Sequence, residues 1–216
     1  MWMAFGSYNG YAYVYTFDGS KFTLNQTLSL SRSIYSLDLT NDHLELAIAT
    51  YYYVYIYKYN GTAFTSSQTI NPGTSYFTRI SLTEDHQYLT FADDYLAFVY
   101  NNTGSSYQLI ENNGQFNKKH KKRVYHLSFG YDTKLLAAST NDGVSLYSKF
   151  DEGNAEFEQT LDSGNSIYTH EISKDGTYLA LADYSNLKIY MKEDYIRCNI
   201  SYCTNCLNST HCQHCN

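Results

Sequence analysis

Residues 36–49 read SLDLTNDHLELAIA, and the phrase returns, reworded, as RISLTEDHQYLTFA (79–92), HLSFGYDTKLLAAS (126–139) and HEISKDGTYLALAD (170–183). Leu39, Leu82, Phe129 and Ile172 mark one place in the four copies, at steps of 43, 47 and 43 residues. Each copy is an alternating segment, a polar turn and a second, more apolar segment. The turns are Asn41-Asp42-His43, Glu84-Asp85-His86, Tyr131-Asp132-Thr133 and Lys174-Asp175-Gly176. Alternation with a period of two reads as extended strand. A third strand follows in YVYIYKY (53–59), YLAFVY (95–100), GVSLYSKF (143–150) and LKIYM (187–191), with YAYVYTF (11–17) as an earlier copy. A polar turn then leads to a fourth strand: FTLNQTL (22–28), FTSSQTI (64–70), YQLI (107–110) and FEQTL (157–161).

Four antiparallel strands at this spacing are the period of a β-propeller blade. The expected fold class is all-β, with helix nearly absent; a stack of β-sandwich modules shares the period and is the alternative. Units at 33–70, 76–110 and 124–161 read as complete. The copy at 1–28 lacks an innermost strand and the one at 166–191 lacks a fourth. These partial blades cannot complete one another, because both hold a second and a third strand. The expectation is a carboxy-terminal portion of a longer protein, with Met1 an internal methionine, or strands supplied by another molecule.

The stretch YYYVYIYKYNGTAF (51–64) fits the same picture. Tyr53, Tyr55, Tyr57 and Tyr59 fall on one face of an extended chain, with Val54 and Ile56 on the other. Neither face is polar, so both are expected to be covered. Tyrosine suits the widening gap between blades, since its ring packs while its hydroxyl reaches water. Small residues such as Ala47, Ala137 and Ala138 suit the narrower second strand.

Segments such as ASTNDGVSLY (138–147) and ADYSNLKIY (182–190) resemble WD-repeat-like and YVTN-like propellers over about 1–191. The Gly-His and Trp-Asp signatures of true WD repeats are absent, and the only tryptophan is Trp2. The wording, with 25 Tyr and one Pro, is similar in composition to surface proteins of ciliated protists.

All five cysteines lie in the last nineteen residues, which marks a boundary near Arg197 and a small module at 198–216. Such a module is too short for a hydrophobic core and needs crosslinks or metal. Cys198, Cys203, Cys206, Cys212 and Cys215 are spaced C-x4-C-x2-C-x5-C-x2-C. Two C-x2-C pairs suit a structural zinc site, with His211 and His214 as substitute ligands, but five residues between pairs is short for one. The rival is a disulfide-rich module. The spacing resembles the furin-like and growth-factor-receptor cysteine-rich repeat, and that resemblance implies Cys203–Cys212 and Cys206–Cys215 disulfides, with the partner of Cys198 beyond Asn216.

Asn25, Asn60, Asn101, Asn199 and Asn208 each head an N-x-[ST] acceptor for an N-linked glycan. Asn60 and Asn101 sit at hairpins between third and fourth strands and Asn25 on an outermost strand, all expected to be exposed. With the cysteines, they point to an extracellular or cell-surface glycoprotein. A net charge of −6 points toward neither nucleic acid nor anionic membrane, and no apolar run approaches the roughly 18 residues of a membrane span.

Lys118, Lys119, Lys121, Lys122 and Arg123 crowd into an enlarged loop, a candidate for binding an anionic polysaccharide and otherwise a solvated loop. Asp93, Asp94, Asp142 and Asp183 recur at the turn between second and third strands. They are a candidate ligand face, although hairpin turns want aspartate anyway. His43 and His86 are repeat-equivalent, each expected to stay with its own turn, and no metal site, cofactor or catalytic motif is read. The expected function is non-catalytic: assembly or adhesion outside the cell, as a subunit of a coat, filament or appendage binding other protein chains. A receptor-like ectodomain and an intracellular scaffold with a zinc tail are the alternatives.

Overall fold

The computed structural model describes residues 1–73, 77, 79–93, 97–110, 123–130, 135–148, 156–162, 164–173 and 176–191, with the backbone of 203–208 and 211–215. The chain forms two compact units, Met1–Leu127 and Ser128–Asn216. Every element among the described residues is a strand.

The first unit holds three sheets. Strands β1 (Trp2–Gly6), β2 (Tyr11–Phe17) and β3 (Phe22–Ser29) make sheet 1. Strands β4 (Ile34–Leu39), β5 (Glu45–Thr50), β6 (Val54–Tyr59) and β7 (Phe64–Ile70) make sheet 2. Strands β8 (Arg79–Leu82), β9 (Tyr88–Ala92), β10 (Ala97–Asn102) and β11 (Tyr107–Leu109) make sheet 3. Neighbours in sequence pair antiparallel, so each sheet is a simple meander.

Sheet 4 follows the order β12-β13-β14-β15, and the unit boundary falls inside β12 (Val124–Phe129). Strands β13 (Leu135–Thr140), β14 (Gly143–Ser148) and β15 (Glu156–Leu161) lie in the second unit. Sheet 5 is β16 (Thr169–Ile172), β17 (Tyr178–Ala182) and β18 (Leu187–Met191). A last hairpin joins β19 (Cys203–Asn208) to β20 (His211–Cys215). Its backbone register sets Cys203 across from Cys215 and Cys206 across from Cys212, whereas the furin-like resemblance would pair them diagonally. Cys198 lies outside the described residues.

The alternation has a concrete cause. All six residues of β5 are buried, because both faces of sheet 2 are covered. Leu46 and Ile48 pack toward sheet 1 with Ala12, Val14 and Leu28. Ala47 and Ala49 pack the other way, with Leu89, Phe91 and Phe98 of sheet 3. Strand β6 divides likewise: Val54 and Ile56 join the sheet-3 side, while half-buried Tyr55, Tyr57 and Tyr59 lie against the sheet-1 side. The tyrosine-rich stretch is thus a filler between sheets. In the second unit, Ala137, Val144 and Leu146 of sheet 4 meet Ile172, Leu179 and Leu181 of sheet 5.

A polar fastening repeats along with the apolar one. The side-chain amide of Gln26 donates to the Phe64 carbonyl at 2.9 Å, and its oxygen accepts from the Phe64 amide at 2.7 Å. One sheet on, Gln68 does the same to Tyr107, at 2.8 and 2.7 Å. A glutamine on the outermost strand therefore satisfies both backbone groups of the residue that opens the next outermost strand. Unmade, those groups would each cost about 1–3 kcal/mol if buried.

Candidate functional site

Two surfaces of the first unit gather chemistry, one at each end of the β5 hairpins. The first begins with a turn that repeats. Thr40 Oγ1 donates to Asp42 Oδ1 at 2.7 Å, and Thr83 Oγ1 does so to Asp85 at 2.6 Å. Each aspartate then accepts the amide two residues on, from Leu44 and from Gln87, both at 3.0 Å. The histidine between takes a left-handed backbone, φ 64° at His43 and 59° at His86, and so leans back over the preceding sheet. His43 stacks on Trp2 at 5.8 Å. His86 reaches the turn before its own: Nε2 lies 2.7 Å from Asp42 Oδ2, and Nδ1 3.2 Å from Glu45 Oε2 in an ionic contact too bent for a hydrogen bond. The backbones belong to their own turns, as the repeat implies, but the side chains do not. This corrects the sequence reading.

Glu45 is the buried centre of this cluster. Lys58 Nζ lies 3.2 Å from one carboxylate oxygen, and the Tyr107 hydroxyl donates to the other at 2.6 Å. Asn102 Nδ2 donates to the His86 carbonyl at 2.9 Å, and Glu84 clamps Asn41 through both oxygens, at 2.9 and 2.7 Å. Burial works against the imidazolium of His86, but Asp42 and Glu45 together outweigh it and raise its pKa above the ordinary value. Burial also works to raise Asp42, yet the Leu44 amide, the Thr40 hydroxyl and His86 hold it below the usual carboxylate range. Burial, reinforced by Glu45, pushes Tyr107 up and keeps it a donor. This arrangement fastens sheet 2 to sheet 3. Among the described residues no set of three acidic, histidine or cysteine side chains is placed to hold a metal.

The second surface is aromatic. The turn Ser7–Gly10 joins β1 to β2, and residues 51–53 join β5 to β6. Ser33 Oγ holds the Tyr8 carbonyl at 2.7 Å, and the Leu30 amide holds that of Gly10 at 2.9 Å. Gly10 takes φ +87°, and a Cβ there would stand 2.7 Å from the Arg32 amide, so only glycine fits. The turn presents Tyr8, 73% exposed, to Tyr35 at 5.7 Å. The rings continue through Tyr51 and Tyr52 to Tyr53 at centroid spacings of 6.3, 4.5 and 6.5 Å. The exposed Arg32 guanidinium lies over Tyr52 at 5.6 Å and over Tyr53 at 5.2 Å. The result is an amphipathic surface of five tyrosines and one arginine.

The residues singled out from sequence fall elsewhere. Asn25, Asn60 and Asn101 are exposed. Asn60 Oδ1 accepts from the Thr62 amide at 3.0 Å and its hydroxyl at 2.9 Å, so the acceptor motif is also the turn. Asn199 lies outside the described residues, and of Asn208 only the backbone is described. Lys118, Lys119, Lys121 and Lys122 are outside too, while Arg123 is exposed and lies over Tyr125 at 5.6 Å. Asp93 is buried and Asp94 is outside. Asp142 holds the Gly164 amide at 2.9 Å. Asp183 accepts from Ser185 and Asn186 in its own turn, at 2.8 and 2.7 Å, which holds its pKa down. The turn thus accounts for the bonds at Asp183, whereas the Asp142 carboxylate accepts from a separate loop at Gly164. The sequence reading missed Arg32 and the Tyr8–Tyr35 pair.

No family model matches the chain, and no curated protein does. Solved structures do. A functionally unknown protein from Desulfotomaculum acetoxidans superposes with a TM-score of 0.73 at 11% identity, over 88% of this chain and 62% of that one. The Cps50 (Swd1) β-propeller domain of Myceliophteria thermophila gives 0.67 at 12%, over 88% and 61%. The sheets are β-propeller blades. A chain of the Mitotic Checkpoint Complex gives 0.69 at 15%, over 87% and 59%. The chain thus spans about three fifths of the length of each of these solved chains. In all, 1225 solved chains match, so the likeness fixes the fold and leaves the function open.

Proposed function

We propose that this propeller-type protein binds other proteins, without catalysis, through the surface of Tyr8, Tyr35, Tyr51, Tyr52, Tyr53 and Arg32. The observation that carries the reading is the run of five rings, Tyr8 and Tyr52 exposed and Tyr35, Tyr51 and Tyr53 half-buried, with an exposed guanidinium over Tyr52 and Tyr53. Tyrosine and arginine dominate binding hot spots, because they offer large, stiff, amphipathic contact area at low entropic cost. The resemblance to a chain solved within a protein complex supports the same class of partner. A triple change of Tyr8, Tyr52 and Arg32 to alanine is expected to weaken capture of native partners at least tenfold, against Glu84→Ala at the opposite surface as control. Equal capture by the triple variant and wild type overturns the reading.

The proposal extends to display outside the cell, in adhesion, with N-linked glycans at exposed Asn25, Asn60 and Asn101. What supports this is the placement of those acceptors on strands and hairpins with open surroundings, together with the cysteine-rich end. Non-reducing peptide mass spectrometry of the native protein is expected to find a glycan on Asn60 and no free thiol at Cys203 or Cys206. Bare Asn60 with both thiols free points instead to the intracellular scaffold with a zinc tail.

A further inference from the structure

The last hairpin sets four cysteines in two rows. Strand β19 carries Cys203 and Cys206, and β20 carries Cys212 and Cys215. The strands pair antiparallel, with Cys203 facing Cys215 and Cys206 facing Cys212. The register shifts between Cys203 and Asn205, between Asn205 and Cys206, and between Cys206 and Asn208. These irregularities fall between the cysteine rows or past the second one, so each cysteine keeps a direct partner. Among the described residues this sheet has two strands. A hairpin of two strands is marginal in water by itself, so it needs a staple.

Four cysteines allow three connectivities, and strand geometry separates them. Facing residues of an antiparallel pair have Cα atoms about 4.5–5.5 Å apart, inside the roughly 4.4–6.8 Å that a disulfide spans. Two to three residues of strand lie between the rows, which is roughly 7–10 Å. The diagonal pairs Cys203–Cys212 and Cys206–Cys215 must then cross about 8 Å or more. Pairs along one strand, Cys203–Cys206 and Cys212–Cys215, face roughly 7–10 Å. A disulfide cannot bridge Cα atoms more than about 7 Å apart without moving the backbone. Only the facing pairs fit. The same spacing weighs against zinc, because a C-x2-C pair must fold back on one ion at about 2.3 Å. Here each pair is drawn out along a strand.

We propose that two nested disulfides, Cys203–Cys215 and Cys206–Cys212, close this module, in place of the interlocked pairs of the furin-like resemblance. In each, two thiols give up two protons and two electrons as one S–S bond forms. A small external disulfide such as oxidised glutathione takes them up and leaves as two thiols. The proposal rests on the reading of display outside the cell, which supplies the oxidising surroundings, and adds which sulfur bonds which. It leaves Cys198 as the odd cysteine of the five.

Stepwise reduction of the native full-length chain tests the pairing. Thiols already free are blocked first. A phosphine at acid pH then opens one bridge at a time, and the sulfurs it frees take one maleimide. Full reduction and a second, heavier maleimide mark the remainder, and tandem mass spectrometry reads the label on each cysteine. In every partly reduced species Cys203 is expected to share its label with Cys215, and Cys206 with Cys212. Cys206→Ser is expected to add one free thiol, at Cys212. Labels shared by Cys203 with Cys212 or with Cys206, a bridge from Cys198 to any of the four, or a thiol freed at Cys215 by Cys206→Ser each overturns the nested pairing and leaves the display reading standing. Four free thiols in the native protein overturn both.

Discussion

Replacing Phe91 by alanine is expected to cost about 3–5 kcal/mol, the range for emptying a fully enclosed aromatic site. The ring is completely buried and lies 5.2 Å from Phe77, 5.2 Å from Phe98 and 5.3 Å from Tyr100. It belongs to the cluster that joins sheet 3 to Ala47, Ala49, Val54 and Ile56 of sheet 2. The hole left behind has strand backbone on both sides and cannot close cheaply. In a chain this long, a loss of that size lowers the melting temperature by very roughly 6–20 °C. Thermal and urea unfolding monitored by circular dichroism measure it, with Phe5→Ala as the exposed contrast, expected within about 0.5 kcal/mol of wild type. A Phe91→Ala cost below that of Phe5→Ala is incompatible with the packing described.

The second large effect belongs to Glu45. Glu45→Leu removes the acceptor of the buried Tyr107 hydroxyl and the counter-charge of Lys58, and it takes away one of the two carboxylates facing His86. Stranding a buried donor costs about 1–3 kcal/mol, and denaturant unfolding at neutral pH is expected to show a loss in that range. The same site gives a signed pH dependence. His86 has a folded pKa above its unfolded value, so its contribution is complete below about pH 6.5 and fades as pH rises through the folded pKa. The difference in stability between wild type and His86→Gln is therefore expected to be largest in mildly acidic buffer and to shrink toward alkaline pH. A difference that grows with pH contradicts the assignment.

Most of the fold was legible because the repeat is written in side-chain volume. Alternation at Ala47-Ile48-Ala49 and Val54-Tyr55-Ile56 shows two covered faces before any coordinate does, and the bulk of Tyr55, Tyr57 and Tyr59 shows that one gap is wider. The glutamine fastening left a readable trace too, in the Gln-Thr doublet shared by FTLNQTL, FTSSQTI and FEQTL, but the doublet reads as a polar outer strand unless its partner is known. Glu45 sits inside the apolar phrase LELAIA, where a lone acid was the sign of a buried network. The reach of His86 into the turn before its own depends on a left-handed backbone, which residue type does not announce. Arg32 lies between serines in a short connection, and only the folding of residues 8 and 51–53 toward that connection makes it part of a surface.

Two bodies pressed together by an oily film can still slide and pivot, and the fastenings between sheets 2 and 3 remove those freedoms one at a time. Inner strands are pinned where Ser36 and Asp38 of β4 accept the amides of Ile80 and Leu82, at 3.3 and 2.8 Å. One end is pinned by Asp42 and His86, and the outermost strands by Gln68 and Tyr107. Three separated anchors that do not fall on one line define a plane, as the feet of a tripod do. The apolar film between them then has only to fill space. Its residues can drift in identity while the seating of one sheet on the next stays fixed, so a binding surface carried on the turns of neighbouring sheets keeps its spacing as the interior varies.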